Sequence, residues 1–508
     1  MHNDRINTMK GFTDYEDYDG LGLAELIKKR EVSAEEVLDA ALSRIDARNG
    51  TLNAVVHRMD DAARRQIASP LPDSPLAGVP TLIKDLLADV AGEPTRNGCR
   101  LFDGYRASVD VELIRRYRAA GLVFAGKSAT PELGLYPFTE SEVYGATRNP
   151  WDPTRTPGGS SGGAGAAVAA GIVPFAHGGD GGGSIRIPAS NCGLFGLKPS
   201  RGRSPIGPKL AEVWQGMVVE HAISRSVRDS AALLDAMGGA ADGDAYSCPP
   251  PSLPFLEQLA TPPAPLRIAV GFAPPLGGAL HPDCRRAVEH TARLLEGLGH
   301  HVVEASPKLP SAETFNRAML TIVAGELALR VRNSETIVGR AARHTDFEAG
   351  TWAMARYGER LSAGQFAWAR DFLFDIGRRM AAFHRDYDVV LCPVLNRPPA
   401  KIGELGVTPL ENAMSRALIG VLGQDWTLSL SNLIESNSLK VLHYIGWTVH
   451  ANMSGQPAMS VPLYWSDENL PIGSQLIGRY GEDGLLLQLA AQLEAAQPWA
   501  RRRPSLQP

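Results

Sequence analysis

Apolar residues recur along the chain with two periods, and the two alternate. Ser33 followed by Glu36 makes a capping box, after which Val37, Ala41, Leu42 and Ile45 line one helical face, predicting a helix within residues 21 to 47. "VELIRRYRAAG" (111 to 121) predicts another helix, stopped by Gly121 and followed by the strand-like "LVFAGK". The same helix, glycine, strand order returns at residues 285 to 305, after a predicted strand "RIAVGF". "YDVVLCPVL" (387 to 395) reads as a buried strand, "PAMSVPLYW" and "GSQLIGRY" as neighbouring strands, and "GLLLQLAAQLEAA" as a closing helix. Alternation of this kind predicts an α/β fold with helices on both faces of a sheet. The proline-punctuated stretch 248 to 265 is the best linker candidate. No fixed-period repeat or coiled-coil heptad interrupts the pattern.

Composition narrows the function classes. With 51 basic against 55 acidic residues the net charge is −4, which gives no reason to expect nucleic acid or an anionic membrane as partner. The five cysteines (Cys99, Cys192, Cys248, Cys284 and Cys392) form no CxxC pair, so neither a zinc site nor a disulfide framework is expected. The first twenty residues are polar and lack the apolar run of a signal peptide, and "AGAAVAAGIVPFA" is too short to cross a bilayer. A cytoplasmic protein is expected.

Two glycine-rich segments carry the chemistry: "TPGGSSGGAGAAVAAG" (156 to 171) and "HGGDGGGSIRIPAS" (177 to 190). Glycine at this density weakens helix and strand alike, so the bared backbone needs a use. A flexible linker is one reading, but both segments run into apolar stretches. A phosphate loop would need a lysine after its glycines, a dinucleotide fingerprint a third glycine, and a calcium repeat several copies. "GGSSG" satisfies the GxSxG nucleophile elbow, with Ser160 as nucleophile and His450 as the histidine such a site requires. That reading leaves the second segment idle. A third segment, "LAGVPTLIKDLLAD" (76 to 89), sets Lys84 among apolar residues.

Together the three segments resemble the amidase signature family of serine hydrolases. The resemblance is tightest from "GVPTLIKD" through "NPWDPTRTPGGSSGG" to "GGDGGGSIRIPASNCGLFGLKPSRGR", and it returns in "YDVVLCPVL" and "GQPAMSVPL". It implies one amidase domain over 1–508, an α/β/α sandwich around a large mixed β-sheet. The signature core would cover about 70–240 and 380–508, and a variable substrate-pocket region about 266–380. It further implies amide C–N cleavage without metal or cofactor. Ser184 would be the nucleophile, Lys84 the base, and Ser160, whose bond to Gly159 is cis in the family, the bridge between them. A serine hydroxyl needs a base, and an ammonium cannot accept a proton, so burial must keep Lys84 neutral. The N–H groups of Gly181, Gly182 and Gly183, with that of Ser184 itself as a further donor, would hold the oxyanion. Ser161, Asp180 and Arg186 would brace the loop. Many relatives carry a bulkier or hydroxylated residue where this chain has Gly181, so a looser loop or room for a larger acyl group is expected there.

The motif form is most similar to the branch containing hydrolases of 6-aminohexanoate cyclic dimer, a nylon oligomer. Small apolar or cyclic amides are therefore the expected substrates, with aryl amides, carbamates (urethanes) and esters as alternatives on the same three residues. Tyr136, Phe138, Trp426 and Trp447 are the expected pocket aromatics, drawn from a set that also includes Trp352, Phe366 and Trp368. The expected partners are the amide and water, with a homodimer compatible with the reading and neither nucleic acid nor membrane engaged.

Overall fold

Neighbouring residues of the central strands face opposite ways, and that alternation divides the interior in two. Leu82, Val123, Ala125, Ala176 and Ile223 join one buried cluster, while Ile83, Phe124, Phe175 and Ala222 join another. The first cluster is closed by helices Gly162–Ala169 and Arg186–Cys192. The second is closed by Glu112–Ala119, Val227–Met237 and Asp483–Ala496. The result is a mixed sheet of eleven strands between helical layers, an α/β/α sandwich. These coordinates are a computed structural model that describes residues 12–406, 412 and 431–505.

In chain order the strands are β1 (Val55–Arg58), β2 (Pro80–Lys84), β3 (Val123–Ser128), and a small ribbon of β4 (Glu140–Ser141) and β5 (Gly145–Ala146). There follow β6 (Phe175–Asp180), β7 (Phe195–Lys198), β8 (Val219–Ser224), β9 (Arg267–Val270) and β10 (His301–Glu304). The last three are β11 (Val389–Pro393), β12 (Ala458–Trp465) and β13 (Pro471–Ile477). Leaving out the ribbon, the order across the sheet is β1-β3-β2-β6-β8-β7-β12-β13-β11-β9-β10. β2 runs parallel to both β3 and β6, whereas β6 to β8 and β12 to β13 are antiparallel.

Two expectations from the sequence need correction. The helix within 21 to 47 is two helices, Gly20–Lys29 and Ala34–Leu52, because Arg30 takes a left-handed conformation and Ser33 caps a fresh start. The stretch 248 to 265 does not separate two cores. β8 before it and β9 after it share one sheet, and its Phe255 is buried. The region 266 to 380 supplies β9, β10 and the helices Pro282–Gly297, Ala312–Arg332, Ser334–Val338 and Ala349–Gly358, and begins Ala363–Phe383. Among the described residues, no helix is long and apolar enough to cross a membrane.

Candidate active site

The parallel strands β2 and β6 end side by side, β2 in Lys84 and β6 in Asp180. Crevices beyond the carboxyl ends of parallel strands are where α/β sheets place their ligands. The loop after β6 carries Gly181 to Ser184 into helix Arg186–Cys192. The segment before helix Gly162–Ala169 brings Ser160 alongside. The two loops are tied together by the Ser161 N–H, which donates to the Ser184 carbonyl at 3.2 Å.

Lys84 is 1% exposed, and its Nζ lies 2.7 Å from Ser160 Oγ and 3.4 Å from the Gly179 carbonyl. Burial lowers its pKa from 10.5 to about 8, against the opposing charges of Glu220 and Asp180. The Gly159–Ser160 peptide bond is cis. Lys84, Ser160 and Ser184 line one cavity of about 650 Å³. Ser184 is half-buried, and its hydroxyl makes no hydrogen bond with a described residue, so it stays open to that cavity.

A buried ion pair holds the loop. Asp180 accepts from Arg186 Nε at 3.0 Å and Nη2 at 2.9 Å, and from the N–H groups of Gly183 at 2.7 Å and Ile185 at 3.1 Å. Burial would raise the Asp180 pKa, but Arg186 and Asn452 outweigh it and hold the carboxyl well below the usual carboxylate range. Arg186 reaches on to Gln475 at 2.6 Å and to the Thr448 carbonyl at 3.0 Å. Ser161 Oγ donates to the Gly179 carbonyl at 3.2 Å.

One of the amides expected to hold an oxyanion has another partner. The Gly183 N–H is already committed to Asp180, whereas those of Gly181, Gly182 and Ser184 make no hydrogen bond to a described residue. Gly183 serves another need. Its φ is +126°, and a Cβ there would stand 2.5 Å from Thr448 Oγ1. Gly181 is likewise not loose: a Cβ would come within 2.9 Å of the Trp214 ring and of Val218, so the glycine admits the indole rather than a larger acyl group.

Ser184 also borders a second, more apolar cavity of about 650 Å³, whose lining includes Tyr136, Trp214, Met319, Val323 and Leu442. Tyr136 thus borders a cavity shared with Ser184, and Phe138 stacks behind it with ring centroids 5.1 Å apart. Trp447 lies elsewhere: it is buried in the core, and its Nε1 donates to Asn396 Oδ1 at 3.1 Å. Trp426 lies outside the described residues. His450 is buried in the short helix Val449–Ser454, where burial, then Arg186 and His384, lower its pKa to about 3. It has no hydrogen bond to Ser160 or to any acid among the described residues.

Sequence reasoning missed four contributors. His177 accepts the Lys84 backbone N–H on Nδ1 at 3.2 Å. Its Nε2 lies 2.8 Å from Glu220 Oε2, close enough for an ion pair but too bent for a hydrogen bond. Glu220, Trp214 and Arg330 all line the cavity with Lys84. His177 carried a signal, since it precedes the second glycine run by one residue. The other three come from segments with no motif.

Similarity to known proteins follows the same outline. The amidase family matches over residues 36–487. A 6-aminohexanoate-cyclic-dimer hydrolase of Pseudomonas sp. (strain NK87) is 39% identical over 494 residues, 96% of each chain. A solved structure of a 6-aminohexanoate cyclic dimer hydrolase superposes with a TM-score of 0.86 at 38% identity, covering 97% of this chain and 99% of that one. A bacterial aryl acylamidase of the amidase signature family gives 0.83 at 27% identity, covering 97% of this chain and 99% of that one.

Proposed function

The chain belongs to the amidase family and is an amidase, a hydrolase of amide C–N bonds, and we propose that it works through an acyl-enzyme on Ser184 with Ser160 and Lys84 as proton relay. The observation that carries this reading is the buried Lys84 amine, 2.7 Å from Ser160 Oγ and with its pKa lowered to about 8. At pH 7.5 such an amine is neutral in about a quarter of the molecules, against about one in a thousand for an ordinary lysine.

Ser184 Oγ attacks the carbonyl carbon as its proton passes to Ser160, while the Ser160 proton passes to Lys84 Nζ. The oxyanion accepts from the free loop amides of Gly181 and Gly182. The relay then reverses: Lys84 returns a proton through Ser160 to the leaving nitrogen, the C–N bond breaks, and the amine departs. Water, deprotonated by the same relay, attacks the acyl-enzyme. The acid product is released and Ser184 regains its proton.

Small apolar or cyclic amides are the proposed substrates, and 6-aminohexanoate cyclic dimer is the first candidate because of the 39% identical hydrolase. Aryl amides are the second reading, favoured by the likeness to the aryl acylamidase and by Trp214 and Tyr136 in the apolar cavity. Carbamates and esters would use the same three residues. A fluorophosphonate probe followed by peptide mapping tests the chemistry: label is expected on Ser184. Label on Ser160 or Ser161 would transfer the nucleophile to the GxSxG reading. No label would argue against a serine nucleophile. A hydrolysis panel of cyclic amides, anilides, primary amides, carbamates and esters ranks the substrates.

A further inference from the structure

Helix Ala312–Arg332 lines both cavities with a single face. Met319 and Val323 border the apolar one, Glu326 and Arg330 the one that holds Lys84 and Ser160. The four positions follow the helical repeat, so the face runs roughly 16 Å from methionine to arginine at about 1.5 Å per residue. Apolar at one end and charged at the other, it suits an elongated substrate whose two arms differ.

Besides Lys84, three charged groups look into the first cavity: Glu220, Glu326 and Arg330. Two have partners. Glu220 stands 2.8 Å from His177 Nε2, and Glu326 accepts from Gln215 Nε2 at 3.2 Å. Arg330 makes neither a hydrogen bond nor an ion pair with any described residue, although Glu326 lies one helical turn before it. An arginine stays charged even where burial lowers its pKa, as it does here. Arg330 is half-buried at the cavity wall, and a guanidinium partly withdrawn from water with no anion bound to it gains from one that arrives. Arg330 has room for that anion, because it also borders a further cavity that meets the first at Leu87, Glu220 and Arg330.

We propose that Arg330 receives a carboxylate carried by the substrate, and that this enzyme prefers amides with one apolar arm and one arm ending in a carboxylate. Glu220 and Glu326 beside it disfavour a second negative charge, so the preferred substrates are monoanions such as linear acylaminoalkanoates. The inference rests on amide cleavage at Ser184.

Binding separates the two ideas. Full-length Ser184→Ala is titrated calorimetrically with 6-benzamidohexanoate and with adipic acid monoanilide, which place the carboxylate on the amine and acyl arms respectively. Each is compared with its uncharged primary-amide counterpart. At least one acid should bind about ten- to a hundredfold more tightly than its counterpart, the range for hydrogen bonds to a charged group. Adding Arg330→Gln should erase that preference, and adding Arg330→Lys, which keeps the charge without the fork, should retain part of it. Because Arg330 has no hydrogen-bond or ion-pair partner among the described residues, Arg330→Gln should keep the parental Tm, which a structural arginine would not. Equal affinities for both acid and amide pairs, or a preference that survives Arg330→Gln, would overturn the proposal. Turnover of the same pairs by the wild-type enzyme is read separately. A carboxylate preference without turnover would sink amide cleavage at Ser184 and leave the Arg330 site standing, whereas turnover without preference would do the reverse.

Discussion

Replacing Lys84 with methionine should abolish amide turnover and stabilise the fold in the same molecule. Burial lowers the lysine pKa from 10.5 to about 8. At about 1.4 kcal/mol for each factor of ten in proton affinity, holding the charged form inside costs about 3 kcal/mol at pH 7. The sign follows from proton binding: the folded protein holds the proton less tightly than the unfolded chain, so the penalty is full below the folded pKa. It shrinks as pH rises and vanishes above the unfolded pKa. By pH 9 about 2 kcal/mol remains. Methionine fills similar volume without the charge, but it forfeits the hydrogen bond to Ser160, worth about 1 kcal/mol. The net gain is about 2 kcal/mol at pH 7 and about 1 kcal/mol at pH 9. For a chain of 508 residues the first figure corresponds to about 2 °C in Tm. Differential scanning calorimetry of both proteins at pH 7 and pH 9, beside hydrolysis of an anilide, is the assay. A variant less stable than wild type by the same amount at both pH values would refute the claim that Lys84 is a destabilised buried base, as would a variant that keeps its activity.

Wild-type kcat/KM should rise roughly ninetyfold between pH 6 and pH 9 with an inflection near pH 8, as the base loses its proton; an inflection near 6.5 would point to a histidine instead. Gly183→Ala should cost roughly 1–3 kcal/mol and most of the activity, because its Cβ would press on Thr448 in a conformation few side chains adopt. Gly182→Ala, whose nearest neighbour would be 3.7 Å away, should melt with the wild type. Arg186→Met, which leaves Asp180 buried and unpaired, should lose about 3–5 kcal/mol by urea titration; an unchanged midpoint would remove the ion pair from the account. Burial, and then their mutual charge for Glu348, raises Glu132 to about 7 and Glu348 to about 8. Folding therefore favours their protonated forms, and stability should fall as pH rises from about 4.5 through 8. Glu348→Gln should flatten that decline in Tm, and an unchanged slope would count against it.

Much of the scaffold was legible in residue order. The capping box at Ser33 and Glu36, the helix ending before Gly121 and the strand pairing of 458–465 with 471–477 are local events, set by period, caps and turns. The two segments bearing Ser160 and Ser184 also announced themselves, since glycine and serine at such density have few other uses, and Lys84 stood out as a charge among apolar neighbours. Less could be read from the aromatic residues. Trp447 and Tyr136 are alike in sequence, yet one anchors the core through Asn396 and the other borders a cavity.

By itself, then, the chain's order of residues determined the α/β pattern, the positions of the glycine-rich loops and the buried lysine, because each arises from neighbours within a few turns of backbone. Tertiary structure alone decided which loop amides make no bond to a described residue, which wall surrounds Ser184 and which charged side chain of the cavity lacks a partner among the described residues. Those outcomes depend on Asn452 and Arg186 meeting at Asp180, on Trp214 filling the space over Gly181, and on a helix more than a hundred residues away turning Arg330 toward Ser160. Contacts at that separation are set by how layers pack, which no local pattern of residues encodes.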